Sequence, residues 1–155
     1  MGWLRRRRED GARKLEPGER VLSRGGGPDG PLAATTHALH LPDGSRVGWS
    51  EVEHARWTED GLELTATTGE RRLLKVTDRG LLPETVHERV VATIVVSRHV
   101  PLRGELGVRL ICRRTPGTDE MNWYTGYDDG LDPDDPQTRA EAADALRHLR
   151  LQMGV

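Results

Sequence analysis

Gly18-Glu19-Arg20-Val21-Leu22, Pro31-Leu32-Ala33-Ala34-Thr35-Thr36-His37-Ala38-Leu39 and Arg46-Val47-Gly48-Trp49-Ser50-Glu51-Val52 decide the fold of this chain. These are three β-rich runs held between turn formers, and the last carries a Trp three residues ahead of a Val. Pro42-Asp43-Gly44 combines a preset φ, a turn-bonding carboxylate and a residue tolerant of positive φ, so it closes a hairpin between the second and third runs. The first strand is expected over Arg20–Arg24, with a flexible loop at Gly25–Gly30, and the second over Leu32–Leu41. The third spans Arg46–Trp57. Val47 and Trp49 share one face there, whereas Val52, Ala55 and Trp57 fall on shifted parity, which a bulge near Ser50-Glu51 restores to the core.

Outward from these runs, Leu62–Thr67 alternates apolar and polar residues, and Arg71–Val76 follows the Thr68-Gly69-Glu70 turn. After Gly80 the period changes. Leu82, Val86 and Val90 recur every four residues behind Pro83, which predicts a short helix over about 83–91. β-branched content then favours a strand over Ala92–Leu102. Val108–Thr115 and Met121–Asp128 form a hairpin around Pro116-Gly117-Thr118. A C-terminal helix over about 136–152 is capped by Asp135, started by Pro136, striped by Ala142, Leu146, Leu149 and Met153, and stopped by Gly154. The class is therefore α+β, mainly antiparallel β: a strongly bent sheet or split barrel with the terminal amphipathic helix capping an open end.

A length of 155 residues suffices for one domain with a real core, here residues 18–155 behind a charged, disordered arm at 1–17. The hydrophobic fraction is 35%, but runs such as Ile94-Val95-Val96 and Leu110-Ile111-Cys112 are dense enough for a globular interior. A formal charge of −2 provides no overall field for nucleic acid or acidic lipid, so any such contact is local. The cations are nearly all Arg, with Lys only at Lys14 and Lys75, which points to a high-GC, actinobacterial genome. Cys112 is the single cysteine, which excludes an internal disulfide and any multi-cysteine zinc or iron–sulfur site and fits the cytoplasm. Met1-Gly2-Trp3-Leu4-Arg5-Arg6-Arg7-Arg8 has the basic start of an export signal, but charged Glu9–Lys14 follows where an apolar stretch is required. No window is long and apolar enough to span a bilayer.

Gly-Glu-Arg-Val-Leu, Leu-Ala-Ala-Thr with Leu39 at the strand end, and Arg-Val-Gly-Trp-Ser-Glu-Val resemble the small bacterial pleckstrin-homology-like domains of the GRAM-related type. The resemblance covers roughly residues 18–77. Including the Leu82-Pro83-Glu84 helix start, the Val100-Pro101-Leu102 run and the Leu131–Pro136 segment, the chain is also similar to a group of high-GC actinobacterial proteins. Thr36 stands where such domains often carry Asp after the Thr, and a helix is inserted before the last strands. The resemblance implies a PH-like bent sheet and a binding or scaffolding module without catalysis.

The candidate chemistry is sparse. His37 and His40, three apart on one strand, point to opposite faces and do not share a metal ion. Cys112 lies in an apolar strand, where a thiol behaves as a small hydrophobe. Asp128, Asp129, Asp132, Asp134 and Asp135 lack the alternation and sixth-position glycine of a calcium loop and read as turn and capping residues. The Gly25–Gly30 run lacks both the Gly-Lys-Ser/Thr ending and the helix of a phosphate loop. No cofactor and no metal is expected. Arg5, Arg6, Arg7 and Arg8 beside Trp3 suit an anionic membrane surface, at about 1 kcal/mol per guanidinium, although Glu9 and Asp10 oppose this. Strand parity turns Tyr124 away from Trp123 and Tyr127 and marks it as a partner surface. The expected function is a non-enzymatic, cytoplasmic module that binds another protein. The alternatives are a peripheral membrane module on the inner face of the cell membrane using residues 3–8, and an enzyme with a composite pocket; nucleic acid is disfavoured.

Overall fold

The computed structural model describes residues 14–154. The described chain is α+β, with mostly antiparallel strands in three sheets and two helices. It divides into two compact units: residues up to Thr93 together with Arg114–Glu120, and Ile94–Arg113 together with the chain from Met121 onward. No helix among the described residues is long and apolar enough to cross a membrane.

The first unit begins with a four-stranded meander, β1 (Val21–Gly27), β2 (Gly30–Thr35), β3 (Ala38–His40) and β4 (Arg46–Gly48), in spatial order β1-β2-β3-β4. A second meander follows, β5 (Val52–Thr58), β6 (Gly61–Ala66) and β7 (Arg71–Lys75), in the order β5-β6-β7. Helix α1 (Leu82–Ala92) packs on β1, β2 and β5. Its stripe of Leu82, Val86 and Val90 enters one apolar cluster with Leu32, Leu39, Trp49, Val52, Leu62 and Leu64. Burial of each of these larger side chains contributes about 1.5–3 kcal/mol, so this stripe fixes the helix on the sheets.

Three expectations change here. The strand expected over Leu32–Leu41 is two strands, because β2 ends at Thr35 and the chain bends through Thr36-His37. The hydroxyl of Thr35 accepts the amide protons of His37 and Ala38 at 3.1 and 3.0 Å, a side-chain turn that competes with the ladder. The strand expected over Arg46–Trp57 is likewise divided. A 3₁₀ turn at Trp49–Glu51 stands where a bulge was expected, and it carries the chain from the first sheet to the second. Finally, Gly25-Gly26-Gly27 is strand rather than loop. A Cβ at Gly25 would collide with the Asp78 carbonyl and Leu82, and one at Gly27 with the Lys75 carbonyl, so these glycines allow backbones to cross closely.

In the second unit β8 (Ile94–Arg103), β9 (Leu106–Arg114) and β10 (Met121–Tyr127) form an antiparallel sheet in the order β10-β9-β8. Helix α2 (Pro136–Met153) packs on β8 and starts as its sequence dictates. Asp135 accepts the Thr138 amide proton, Pro136 opens the first turn, and Gly154 closes the helix at φ 73°. Ala142 and Leu149 bury against Val96, Val108, Leu110 and Cys112. The covering role expected of the C-terminal helix is taken in the first unit by α1.

Candidate functional site

The densest polar constellation of the first unit surrounds Glu19, whose side chain is fully buried, beside His40, 6% exposed. Four donors converge on this carboxylate. His40 Nε2 donates to Oε2 at 2.9 Å, the Thr35 hydroxyl donates to the same oxygen, and Arg46 and the Glu16 amide donate to Oε1 at 3.2 and 2.8 Å. Burial alone would raise the Glu19 pKa. The Glu16 amide, the His40 and Thr35 hydrogen bonds and the Arg46 charge outweigh it and hold the group at about 2, against an ordinary 4.5.

Glu16 forms the outer half of the cluster. Its Oε1 accepts from His37 Nδ1 at 3.0 Å and from Arg46 at 3.1 Å, so Arg46 bridges both carboxylates. Glu16, assigned by sequence to the arm ending near Pro17, thus makes side-chain bonds to the folded unit. The His37 ring also lies over the Pro116–Thr118 turn, where a Cβ on Gly117 would meet its Cε1 at 2.8 Å. His37 bonds Glu16, His40 bonds Glu19, and Arg46 links the two carboxylates. His37 lies in the bend, off the strand that carries His40, so the premise of one shared strand fails, while the candidate cation group among the described residues includes His37 and not His40.

Donor atoms of Glu16, Glu19 and His37 lie within 4.8 Å of one another, a spacing compatible with a cation. The cation they face is the Arg46 guanidinium, and Glu19 already accepts from four partners. The arrangement locks charges together: Thr35, the hinge of the bend, is held from one side by Glu19 and from the other by Trp49, whose Nε1 donates to the Thr35 carbonyl at 2.7 Å. Sequence reasoning missed Glu16 and Glu19 because their partners lie 16 to 30 residues away. No local spacing signals them.

A groove of about 300 Å³ opens elsewhere on this unit, between the β1–β2 and β3–β4 turns and strand β7. Leu32, Leu41, Pro42, Leu73 and Leu74 supply its apolar lining; Asp29 and Asp43 contribute from the turns, Arg72 and Lys75 from β7. Asp43 accepts from the amide and hydroxyl of Ser45 at 2.9 and 2.6 Å, and these bonds hold its pKa below the ordinary carboxylate value.

In the second unit His99 Nε2 donates to Asp128 Oδ2 at 2.8 Å, and the Gly107 amide reaches the same oxygen at 2.8 Å. The His99 bond first, then the amide, lowers the Asp128 pKa. Asp132 and Asp135 serve as turn and cap acceptors, as expected. Tyr124 is half-buried; its hydroxyl accepts from Arg113 Nε at 3.0 Å, and the guanidinium lies 5.8 Å from the ring centre. Cys112 is buried in the apolar cluster. Trp3, Arg5, Arg6, Arg7 and Arg8 lie outside the described residues. Neither a protein-family model nor a curated protein nor a solved structure matches the chain.

Proposed function

We propose that this protein is a cytoplasmic, non-enzymatic binding module of the PH-like, GRAM-related kind, acting by contact with another protein. The observation that carries this reading is the order of elements in the first unit. A four-stranded antiparallel meander is followed by a three-stranded one and then by a helix packed on β1, β2 and β5, from both sheets. That succession is the one a PH-like bent sheet needs, and it supports the resemblance carried by residues 18–77. The polar chemistry agrees with a binding role. Glu19, Thr35, His40 and Arg46 direct their donors and acceptors at one another, which fixes a scaffold and leaves the groove beside β7 as a concave surface of this unit open to a partner.

The test is affinity capture of the tagged full-length chain from lysate of its native cells, with quantitative mass spectrometry. A recurrent protein partner is expected, and its absence overturns the reading. The peripheral-membrane alternative rests on Trp3 and Arg5–Arg8. Anionic vesicles that pellet the native chain, but not one with serine at all four Arg positions, would replace the first reading with the second.

A further inference from the structure

We propose that the outer edge of β7 accepts an acidic, extended peptide segment of a partner as an added strand, with an apolar side chain of that segment seated in the adjoining groove. This rests on the binding-module reading and names the surface and the partner's chemistry.

Strand β7 pairs only with β6 among the described residues, so its other side is a sheet edge. The Leu74 carbonyl faces Gly61 of β6, and main-chain groups alternate along a strand, so Arg71 and Leu73 direct their amide and carbonyl groups outward. Gly27 closes on the Lys75 carbonyl, so the open edge runs from Arg71 to Leu74. An exposed edge of this kind is a template for another strand, and proteins commonly blunt it with charge.

The side chains decide which strand fits. β7 reads Arg71-Arg72-Leu73-Leu74-Lys75; its three cations make no ion pair within 4.0 Å among the described residues, and the Arg72 charge acts on Asp43 of the same groove. Leu73 is 52% exposed between Arg71 and Lys75 on the outer face. By strand parity Arg72 and Leu74 project from the opposite face, and the groove, which wraps the edge, is lined by Arg72, Leu73, Leu74 and Lys75. A second copy of this chain is the wrong occupant. An antiparallel β7–β7 pair centred on Leu73 would set Arg71 against Lys75 twice, and directly opposed like charges destabilise a sheet. Added antiparallel, a segment reading acid–apolar–apolar–acid–acid from its N-terminus meets every position of β7 with its complement. Its inward apolar residue meets Leu32, Leu41 and Leu74, and its acids meet Arg71, Arg72 and Lys75. Asp29 and Asp43 restrict the acids to the β7 side of the groove, and Asp43 is already committed to Ser45.

The experiment is a titration of the ¹⁵N-labelled full chain with a capped heptapeptide, glycine, glutamate, valine, valine, glutamate, glutamate, glycine, followed by NMR. Lysine replaces glutamate in the control peptide. Expected are shifts confined to 71–75 and the 29 and 41–43 turns, weakening with salt, and absent for the lysine peptide. In the R71E/R72E/K75E variant, whose exposed positions leave the spectrum otherwise intact, the acidic peptide should bind at least about tenfold more weakly and the lysine peptide should now bind. Methylating the peptide's main-chain nitrogens should abolish binding, as side-chain attraction alone would not. No shifts at millimolar peptide, shifts elsewhere, or equal binding of both peptides overturns the assignment. Retention of a captured native partner by the triple variant overturns it too, while leaving the binding-module reading standing.

Discussion

Two imidazole–carboxylate pairs of nearly equal length, His40–Glu19 at 2.9 Å and His99–Asp128 at 2.8 Å, occupy very different surroundings. The first is in the core of its unit, with side chains 6% and 0% exposed; the second lies open, at 32% and 34%. Both lower the pKa of their carboxylate, but the same chemistry has a different structural meaning in each place. Water cannot replace a partner lost from Glu19, whereas it replaces one lost from Asp128 at once. Glu19 also ties three segments together, the 16–20 stretch, the β2–β3 bend and β4, so the buried pair sets chain geometry as well as charge.

The sharpest way to break this comparison is Glu19→Ala. It leaves the buried His40 and Thr35 and the partly exposed Arg46 without their shared acceptor, and removing one side of a buried ion pair costs about 3–5 kcal/mol. Urea unfolding of the variant should show that loss, and a change under 1 kcal/mol would contradict the buried network. Acid tests the same group without mutation. The folded pKa of Glu19 is about 2 and its unfolded value 4.5, so as pH falls the unfolded chain takes the proton first. Its contribution is complete above 4.5, declines between 4.5 and 2, and is gone below. That decline amounts to about 3 kcal/mol, and Glu19→Gln should flatten the stability–pH curve across this window. Some slope persists in the variant, because Asp43, Asp128 and Asp135 are lowered as well.

Gly117→Ala should have the next largest effect. Residue 117 holds φ 80°, and a Cβ there meets the His37 ring at 2.8 Å, so strain and collision together cost about 1–3 kcal/mol. Adding His37→Ala removes the collision and keeps the strain. A double-mutant cycle by thermal unfolding should therefore show partial recovery, and strict additivity would dissociate His37 from this turn.

These outcomes bear on what the amino-acid order discloses. Both helices are legible because their signals are local: Leu82, Val86 and Val90 in one stripe, and Asp135, Pro136 and Gly154 at the ends of the other. Strand breaks are less so. Parity located the irregularity at Ser50-Glu51 but not its form, since nothing nearby says that Val52 joins a different sheet from Gly48. The Thr36-His37 bend combines a local Thr35 side-chain turn, one that many threonines in strands do not make, with a bond from Thr35 to Glu19, 16 residues earlier, that has no local signal. That one unseen bend also takes His37 off the strand expected to carry it together with His40. The glycine run shows the converse error: Gly25–Gly27 looks flexible in sequence, yet crowding by Lys75, Asp78 and Leu82 explains those residues.

The smallest expected effect belongs to the open pair, and the choice of substitution isolates its cause. Asp128→Asn removes the charge facing His99 and keeps an oxygen for the Gly107 amide. If screening governs the pair, the unfolding midpoint should move little in dilute buffer, and the difference from the native chain should vanish near 1 M salt, where charges are screened beyond about 3 Å. Asp128→Ala deletes the amide's acceptor as well, so it should fall below Asp128→Asn by a step that salt does not erase. Equal, salt-independent losses for Asn and Ala would mean that charge at this position is structural after all, and the contrast with Glu19 would collapse.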